Sequence, residues 1–288
     1  MTVQFFIIGA PKCGTTSLAR WLAEHPEIFF TPIKEPHFFS TSLANRVITS
    51  DGAYRRLFDG VGPTHRAVGE ASTWYLYCEA AIPNILRVLP EARFIIMTRD
   101  PVEMARSLHH HNLRVLHEDE SDFARAWALQ ADRRSGRQIP ANCIEPAFLQ
   151  YGAACSLGHQ IERLLSLVVP ERVFHLSLEE LRTDPARHYR RALAFLGLAD
   201  DGRKDFPIAN PARGHRSRAL QRLIRMGGRL RLALGIQRGF GLARINDRAQ
   251  SKAPLAPELH AELCNFFADD QAILRKSLAR LAGSKHED

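Results

Sequence analysis

Val3-Gln4-Phe5-Phe6-Ile7-Ile8-Gly9-Ala10-Pro11-Lys12-Cys13-Gly14-Thr15-Thr16-Ser17-Leu18 is the stretch that decides the fold. Residues 3–8 form an apolar run of the length of a buried strand, and the glycine-rich turn follows at once. Leu18, Trp21 and Leu22 then recur at helical spacing until His25-Pro26 ends the segment. Strand, glycine-rich turn and helix, in that order, aim backbone N–H groups at an anion lying on the helix N-terminus. A nucleotide-triphosphate loop reads GxxxxGK[ST], with its lysine directly after the second glycine. Here Thr15 takes that position and the lysine lies inside the loop, at Lys12.

The same alternation runs outward along the chain. Further strands are expected near 66–69, at 93–98 and at 172–176, since runs such as Phe94–Met97 suit buried parallel strands. Helices are expected at 14–25, 79–89, 101–116, 121–136, 147–168 and 185–196. A final helix is expected over 255–282, where Leu259, Leu263, Phe267, Leu274, Leu278 and Leu281 share one face. The fold class that follows is α/β: a P-loop-like parallel sheet with right-handed crossovers and helices on both faces. Only 137–146 and 199–215 have loop composition, which argues for a single domain over 1–288.

Composition narrows the class further. The chain has 288 residues, 45% of them hydrophobic, enough for one large core. No stretch is long and apolar enough to span a membrane, and the N-terminus lacks a basic region and a cleavage site. Five scattered cysteines without CxxC spacing point to reduced thiols in a cytoplasmic protein, not to a disulfide frame or a zinc site. The net charge of +8 favours an anionic ligand. Much of it lies in one place: between Phe206 and Asn246 there is no acidic residue, while nine arginines run from Arg213 to Arg244. Leucines interleave with them around Gly227-Gly228. Such a basic amphipathic element could close over a nucleotide, bind a polyanionic acceptor or lie peripherally on an anionic surface.

Three segments could carry chemistry. In the loop, Lys12 can reach a phosphate oxygen, while Pro11, Cys13, Gly14, Thr15, Thr16 and Ser17 surround the first helical turn with N–H groups and hydroxyls. In Thr31-Pro32-Ile33-Lys34-Glu35-Pro36-His37-Phe38-Phe39 the prolines hold the chain extended. Glu35 is thereby fixed among aromatics, where burial is expected to raise its pKa towards that of a general base; His37 reads as packing. In the third, Asp100 reads as an N-cap, Pro101 as the first helical residue and Glu103 as the partner in a capping box. Arg99 then sits at the carboxyl edge of the sheet. Ser107 follows on the same helix face, about 10 Å along. That pair could hold a second phosphate. His109-His110-His111 does not read as a metal site, because consecutive helical side chains point about 100° apart. On these residues alone a P-loop phosphotransferase, such as a kinase, stays open beside a transferase of another group. It would want a lysine after Gly14 and an acid for Mg²⁺, whereas Asp100 reads as a cap. A purely polyanion-binding protein would leave both the loop and the Glu35 segment unexplained.

Taken together, the three segments resemble the sulfotransferase family that uses 3′-phosphoadenosine 5′-phosphosulfate (PAPS). The likeness is to the branch of the heparan sulfate N- and 3-O-sulfotransferases and their bacterial relatives. The family's G-x-x-K-x-G-T-T-x-L loop matches Gly9 to Leu18, its K-E-P-H-F-F segment matches Lys34 to Phe39, and its R-D-P-x-x-x-x-x-S segment runs from Arg99 to Ser107. The resemblance covers about 3–200, with Val173–Leu198 similar to the family's later region. It implies Glu35 and Lys12 as catalytic residues, the loop as holder of the 5′-phosphosulfate, and Arg99 with Ser107 as holder of the 3′-phosphate. It further implies PAPS as donor, 3′-phosphoadenosine 5′-phosphate (PAP) as product and no metal. The acceptor is expected to be a small molecule or glycan, with no nucleic-acid partner, and 206–250 a basic lid or acceptor-binding segment. The membrane anchor and cysteine loop of the animal Golgi enzymes are not visible here, and their late lysine-glycine-arginine element has no plain counterpart. Ala212 to Arg218 is the stretch that could replace it.

Overall fold

In the computed structural model, residues 3–208, 213–215, 247–249 and 254–283 are described. The chain divides into two compact units, Met1–Pro207 with Ala256–Asp288, and Ile208–Leu255. Of the second unit, the strands Arg213–His215 and Asp247–Ala249 pair antiparallel. The remainder of the arginine-rich segment lies outside the described residues.

The larger unit is built on a parallel sheet of five strands. In chain order they are β1 (Phe5–Gly9), β2 (Ile28–Phe30), β3 (Ala67–Ala71), β4 (Arg93–Thr98) and β5 (Val173–Ser177). Their order across the sheet is β2-β3-β1-β4-β5. The central β1 is buried along its whole length, as a strand covered on both faces must be. Its register sets Phe5 against Gly69 of β3 and Ile7 against Ile95 of β4. Gly69 is required there, because a Cβ would fall inside the Phe5 ring.

From β1 the chain moves towards β2, and from β3 and β4 it moves the other way. With right-handed crossovers this reversal puts helices on opposite faces. Helix α1 (Thr15–Ala23) packs on one side with α10 (Pro185–Leu196). Between β3 and β5 come α3 (Ala81–Val88), α4 (Pro101–Arg114), α5 (Phe123–Ala128), α6 (Gln130–Arg134), α7 (Tyr151–Cys155) and α8 (Leu157–Leu167). The last helix, α11 (Pro257–Gly283), packs on α8 and α4. Asp270 of α11 caps α8 from outside, accepting from the N–H groups of Gly158 and His159 at 2.9 Å each.

Several expectations need correction at their edges. The helix read over 121–136 breaks at Leu129 into α5 and α6. The one over 147–168 breaks into a 3-10 turn (Pro146–Leu149), α7 and α8. Short β2, α2 (Asp51–Arg56) and α9 (Leu178–Thr183) escape the sequence reading. The last is closed by a capping box between Ser177 and Glu180. Asp100 does cap α4, accepting from Glu103 N at 2.8 Å.

Candidate active site

The carboxyl ends of β1 and β4 form the crevice where the chain's direction of travel reverses, the place where open α/β sheets accept ligands. The loop after β1 enters it with two left-handed residues, Lys12 at φ 67° and Gly14 at φ 87°. Alternating right- and left-handed conformations turn successive N–H groups inward, making an anion-binding concavity. Gly14 is also the N-cap of α1, and no side chain caps that helix. The N–H groups of Thr15 and Thr16 at that end are left to a ligand, while that of Ser17 donates to the Gly14 carbonyl at 2.9 Å. A Cβ at Gly14 would come within 2.7 Å of Leu178 Cδ1, so conformation and space both demand glycine.

Not every hydroxyl of the loop faces the crevice. Thr15 and Ser17 are buried, whereas Thr16 is half-buried. The Cys13 thiol points into the core towards Met104, its pKa pushed up by burial, so only its backbone belongs to the loop surface. Pro11 is buried. Lys12 is the loop's charged group. Its pKa falls to about 8, first through burial and then through repulsion from Arg114, Lys34 and Arg99, with Glu35 opposing. A lysine in a crowd of like charges is a site waiting for an anion.

Glu35 lies in the loop after β2 and is held against the end of β3. Its N–H donates to the Ala71 carbonyl at 3.0 Å, and Thr73 Oγ1 donates to its Oε1 at 3.2 Å. Both Glu35 (φ 57°) and His37 (φ 50°) adopt left-handed backbone conformations. His37 is buried edge-on to Tyr75, yet its Nε2 lies 3.6 Å from Glu35 Oε2, so it serves the carboxylate as well as packing. The expected upward pKa shift of Glu35 is corrected here. Burial does push it up, but the His37 hydrogen bond and the Lys34 charge outweigh that and hold the carboxyl at about 2. Glu35 is thus a carboxylate throughout the neutral range.

Arg99 leaves the end of β4 and donates to the Lys12 carbonyl at 3.3 Å, stitching β4 to the loop. Its other terminal nitrogen reaches Glu103 Oε2 at 3.4 Å, and Arg106 approaches the same carboxylate at 2.7 Å. Ser107 is half-buried on α4, two turns beyond the cap. The structure adds residues the sequence reading passed over. Arg114 and Glu35 act electrostatically on His111, as does Lys12. Ser107, His111 and Arg114 fall at i, i+4 and i+7, so one face of α4 flanks Lys12 and Glu35. Burial first, then Lys12 and Arg114, lower the His111 pKa to about 3, so it is a neutral imidazole. Its neighbours in the triplet point elsewhere: His109 donates to the Glu120 carbonyl and His110 to that of Arg106. Among the described residues no cluster of His, Cys, Asp or Glu could hold a metal ion.

Below Glu35 lies a buried anchor. Glu70 of β3 is wholly buried and accepts from Tyr54 OH at 2.5 Å and Ser72 Oγ at 2.7 Å. Ser72 Oγ in turn accepts from His37 N at 3.0 Å, and Tyr75 OH accepts from Phe39 N at 3.2 Å.

Known proteins share this framework. Human bifunctional heparan sulfate N-deacetylase/N-sulfotransferase 3 is 27% identical over 205 residues, 68% of this chain and 22% of that protein. The chain spans between about a quarter and a half of the length of the curated relatives it matches. A crystal structure of a sulfotransferase from Alicyclobacillus acidocaldarius is 30% identical, covers 96% of this chain and 95% of its own, and superposes with a TM-score of 0.71. Mouse sulfotransferase SULT7A1, solved in complex with PAP, shares the fold at a TM-score of 0.55 and 12% identity, with 97% and 88% of the two chains covered. The profile of the sulfotransferase domain matches residues 3–206, a span that takes in every residue gathered at this sheet edge. By that match this chain belongs to the sulfotransferase family.

Proposed function

We propose that this protein transfers a sulfuryl group from PAPS to a hydroxyl or amine of an acceptor, carbohydrate or glycan-containing in class. The observation that carries the reading is the meeting of Lys12 and Glu35: a crowded lysine in an uncapped anion loop, beside a carboxylate that stays ionised. When bound, the donor supplies an activated sulfuryl group on its 5′-phosphate. Lys12 and the loop amides hold that phosphate and balance the charge that grows on it as the sulfuryl group departs. Arg99, joined to Lys12 through its backbone, and Ser107 take the 3′-phosphate on the far side. Glu35 accepts the proton of the acceptor, a role worth roughly 10²–10⁴-fold in typical enzymes. The PAP complex of the mouse fold relative supports the donor, and the heparan sulfate enzyme supports a carbohydrate acceptor.

No described helix is long and apolar enough to cross a membrane. A cytoplasmic setting belongs to the same proposal, on the scattered cysteines of the sequence. A phosphotransferase has no feature left in its favour, since Thr15 stands where its lysine belongs and the family is that of sulfotransferases.

Purified protein is to be incubated with ³⁵S-labelled PAPS and a panel of glycans, amines and phenols. Label is expected in at least one class, with Glu35→Gln about 10²–10⁴-fold slower while it binds PAP as the parent does. Near-parental turnover by Glu35→Gln removes the glutamate from the role. A parent protein that binds neither PAP nor PAPS removes the function.

A further inference from the structure

The ammonium of Lys34 touches both halves of the site. It donates to Thr16 Oγ1, in the first turn of α1, at 2.7 Å. It also pairs with Glu35 Oε1 at 3.4 Å, and its charge bears on Lys12. In-line transfer sets the acceptor oxygen beside Glu35 and the leaving oxygen at the loop, with the sulfur between them. A cation that reaches one group at each end of that line lies beside its middle.

We propose that Lys34 is a further catalytic residue, whose ammonium leaves Glu35 and Thr16 when the donor binds and grips the oxygens of the sulfuryl group in transit. This rests on the proposed transferase reading. In the step, a bond forms between the acceptor oxygen and sulfur while the bond from sulfur to the 5′-phosphate oxygen breaks. The electron pair stays with the phosphate, giving PAP. The acceptor proton goes to Glu35, and Lys34 keeps its own proton throughout.

Two features favour such an exchange. The Lys34 side chain is 47% exposed, and partly exposed ion pairs contribute little, so its present contacts are cheap to release. Its departure also acts on the base. Lys34 is one of the charges that depress Glu35, so an ammonium drawn to the sulfuryl group leaves a more basic carboxylate where the proton must be taken. Donor arrival and arming of the base are then coupled through one side chain.

PAP and PAPS differ by the sulfuryl group alone, so comparing them isolates this role without an identified acceptor. Calorimetric affinities of Lys34→Met and Lys34→Arg are to be measured for both nucleotides, with PAP release from PAPS, in the presence of the acceptor class that takes label in the ³⁵S transfer panel, as the turnover readout. Lys34→Met is expected to bind PAP within about twofold of the parent, to bind PAPS more weakly, and to lose about 100-fold in turnover. Lys34→Arg is expected to recover part of that loss. Equal weakening of PAP and PAPS would make Lys34 a phosphate ligand and overturn the proposal, as would turnover within threefold of the parent. If the parent protein binds PAP and only the Lys34 effects fail, this inference falls alone; if it binds neither nucleotide, the function falls with it.

Discussion

Lys12 carries a pH signature that can be worked out in advance. In the free protein its pKa is lowered from 10.5 to about 8. Burial is the first cause, and three neighbouring cations follow. An anion seated in the loop reverses the electrostatic part, because it favours the charged lysine. If the bound phosphate restores the ordinary value, the affinity scales as the ratio of the two titration terms. PAP binding then weakens about tenfold between pH 7 and pH 9, close to 1.4 kcal/mol. Linkage fixes the proton count as well: about 0.9 proton is taken up per PAP bound at pH 9, against about 0.1 at pH 7.

Calorimetry in two buffers of different ionisation enthalpy reads both quantities in one series. Lys12→Met serves as control, with weaker binding that stays flat over the same range. The sign for stability is equally definite. A depressed lysine pKa means that the unfolded chain binds more protons between about pH 8 and pH 10.5, so this residue makes the free protein more stable as pH rises through that window. Flat PAP affinity from pH 7 to pH 9, or no proton uptake at pH 9, would refute the crowded-lysine account of the loop.

Two further substitutions test the scaffold. Gly14→Ala places a methyl group against Leu178 at a left-handed position, and is expected to cost about 1–3 kcal/mol, read as a lowered Tm; an unchanged Tm would mean the loop relaxes freely. Glu118→Gln leaves Arg133 buried without its carboxylate, which it now meets through two 2.6 Å bonds beside Tyr151 OH. A loss of about 3–5 kcal/mol in urea unfolding is expected, and a loss below 1 kcal/mol would show that the pair is dispensable.

What the sequence disclosed depended on how local each signal was. The β1 loop and the start of α4 are written in consecutive residues, with glycine at φ 87° and Asp-Pro at the cap, so both were legible. The breaks within 121–136 and 147–168 were not. Apolar spacing continues across them, and at the start of α8 the new helix is set by a tertiary contact: Asp270, far along the chain, caps it. β2 is three residues long and ends at Thr31-Pro32, too short for any periodicity to register. The Glu35 segment shows a finer division. Its aromatic setting was readable and its burial followed, but the sign of the pKa shift was not. That sign depends on His37 Nε2 and Lys34 Nζ turning back on the carboxylate, which requires positive φ at two residues that are not glycine. A signal was present for His111 and Arg114, since they follow Ser107 at i+4 and i+7. Treating the histidine triplet only as a metal question obscured it.

The two left-handed residues also explain why the end of β3 and the turn after it are devoted to one short segment. Each such conformation costs about 1–3 kcal/mol and persists only where the surroundings over-determine it. Here the surroundings do so residue by residue. Ala71 receives the Glu35 N–H, Ser72 the His37 N–H and Tyr75 the Phe39 N–H, while Thr73 donates to the Glu35 carboxylate. Ser72 is fixed in its turn by Glu70, a carboxyl sealed in the core with its pKa raised by burial, although Tyr54 and Ser72 donate to it. A buried acid is costly unless its oxygens are satisfied, and Tyr54 and Ser72 satisfy them. The expense makes sense as rigidity delivered to Glu35. A carboxylate that must take a proton within hydrogen-bond reach of a transferring group gains more from a fixed position than from a high pKa. On the proposed transferase reading, the end of β3 and the turn after it supply position, and basicity is left to be adjusted by whichever cation stands beside the carboxylate when the donor is in place.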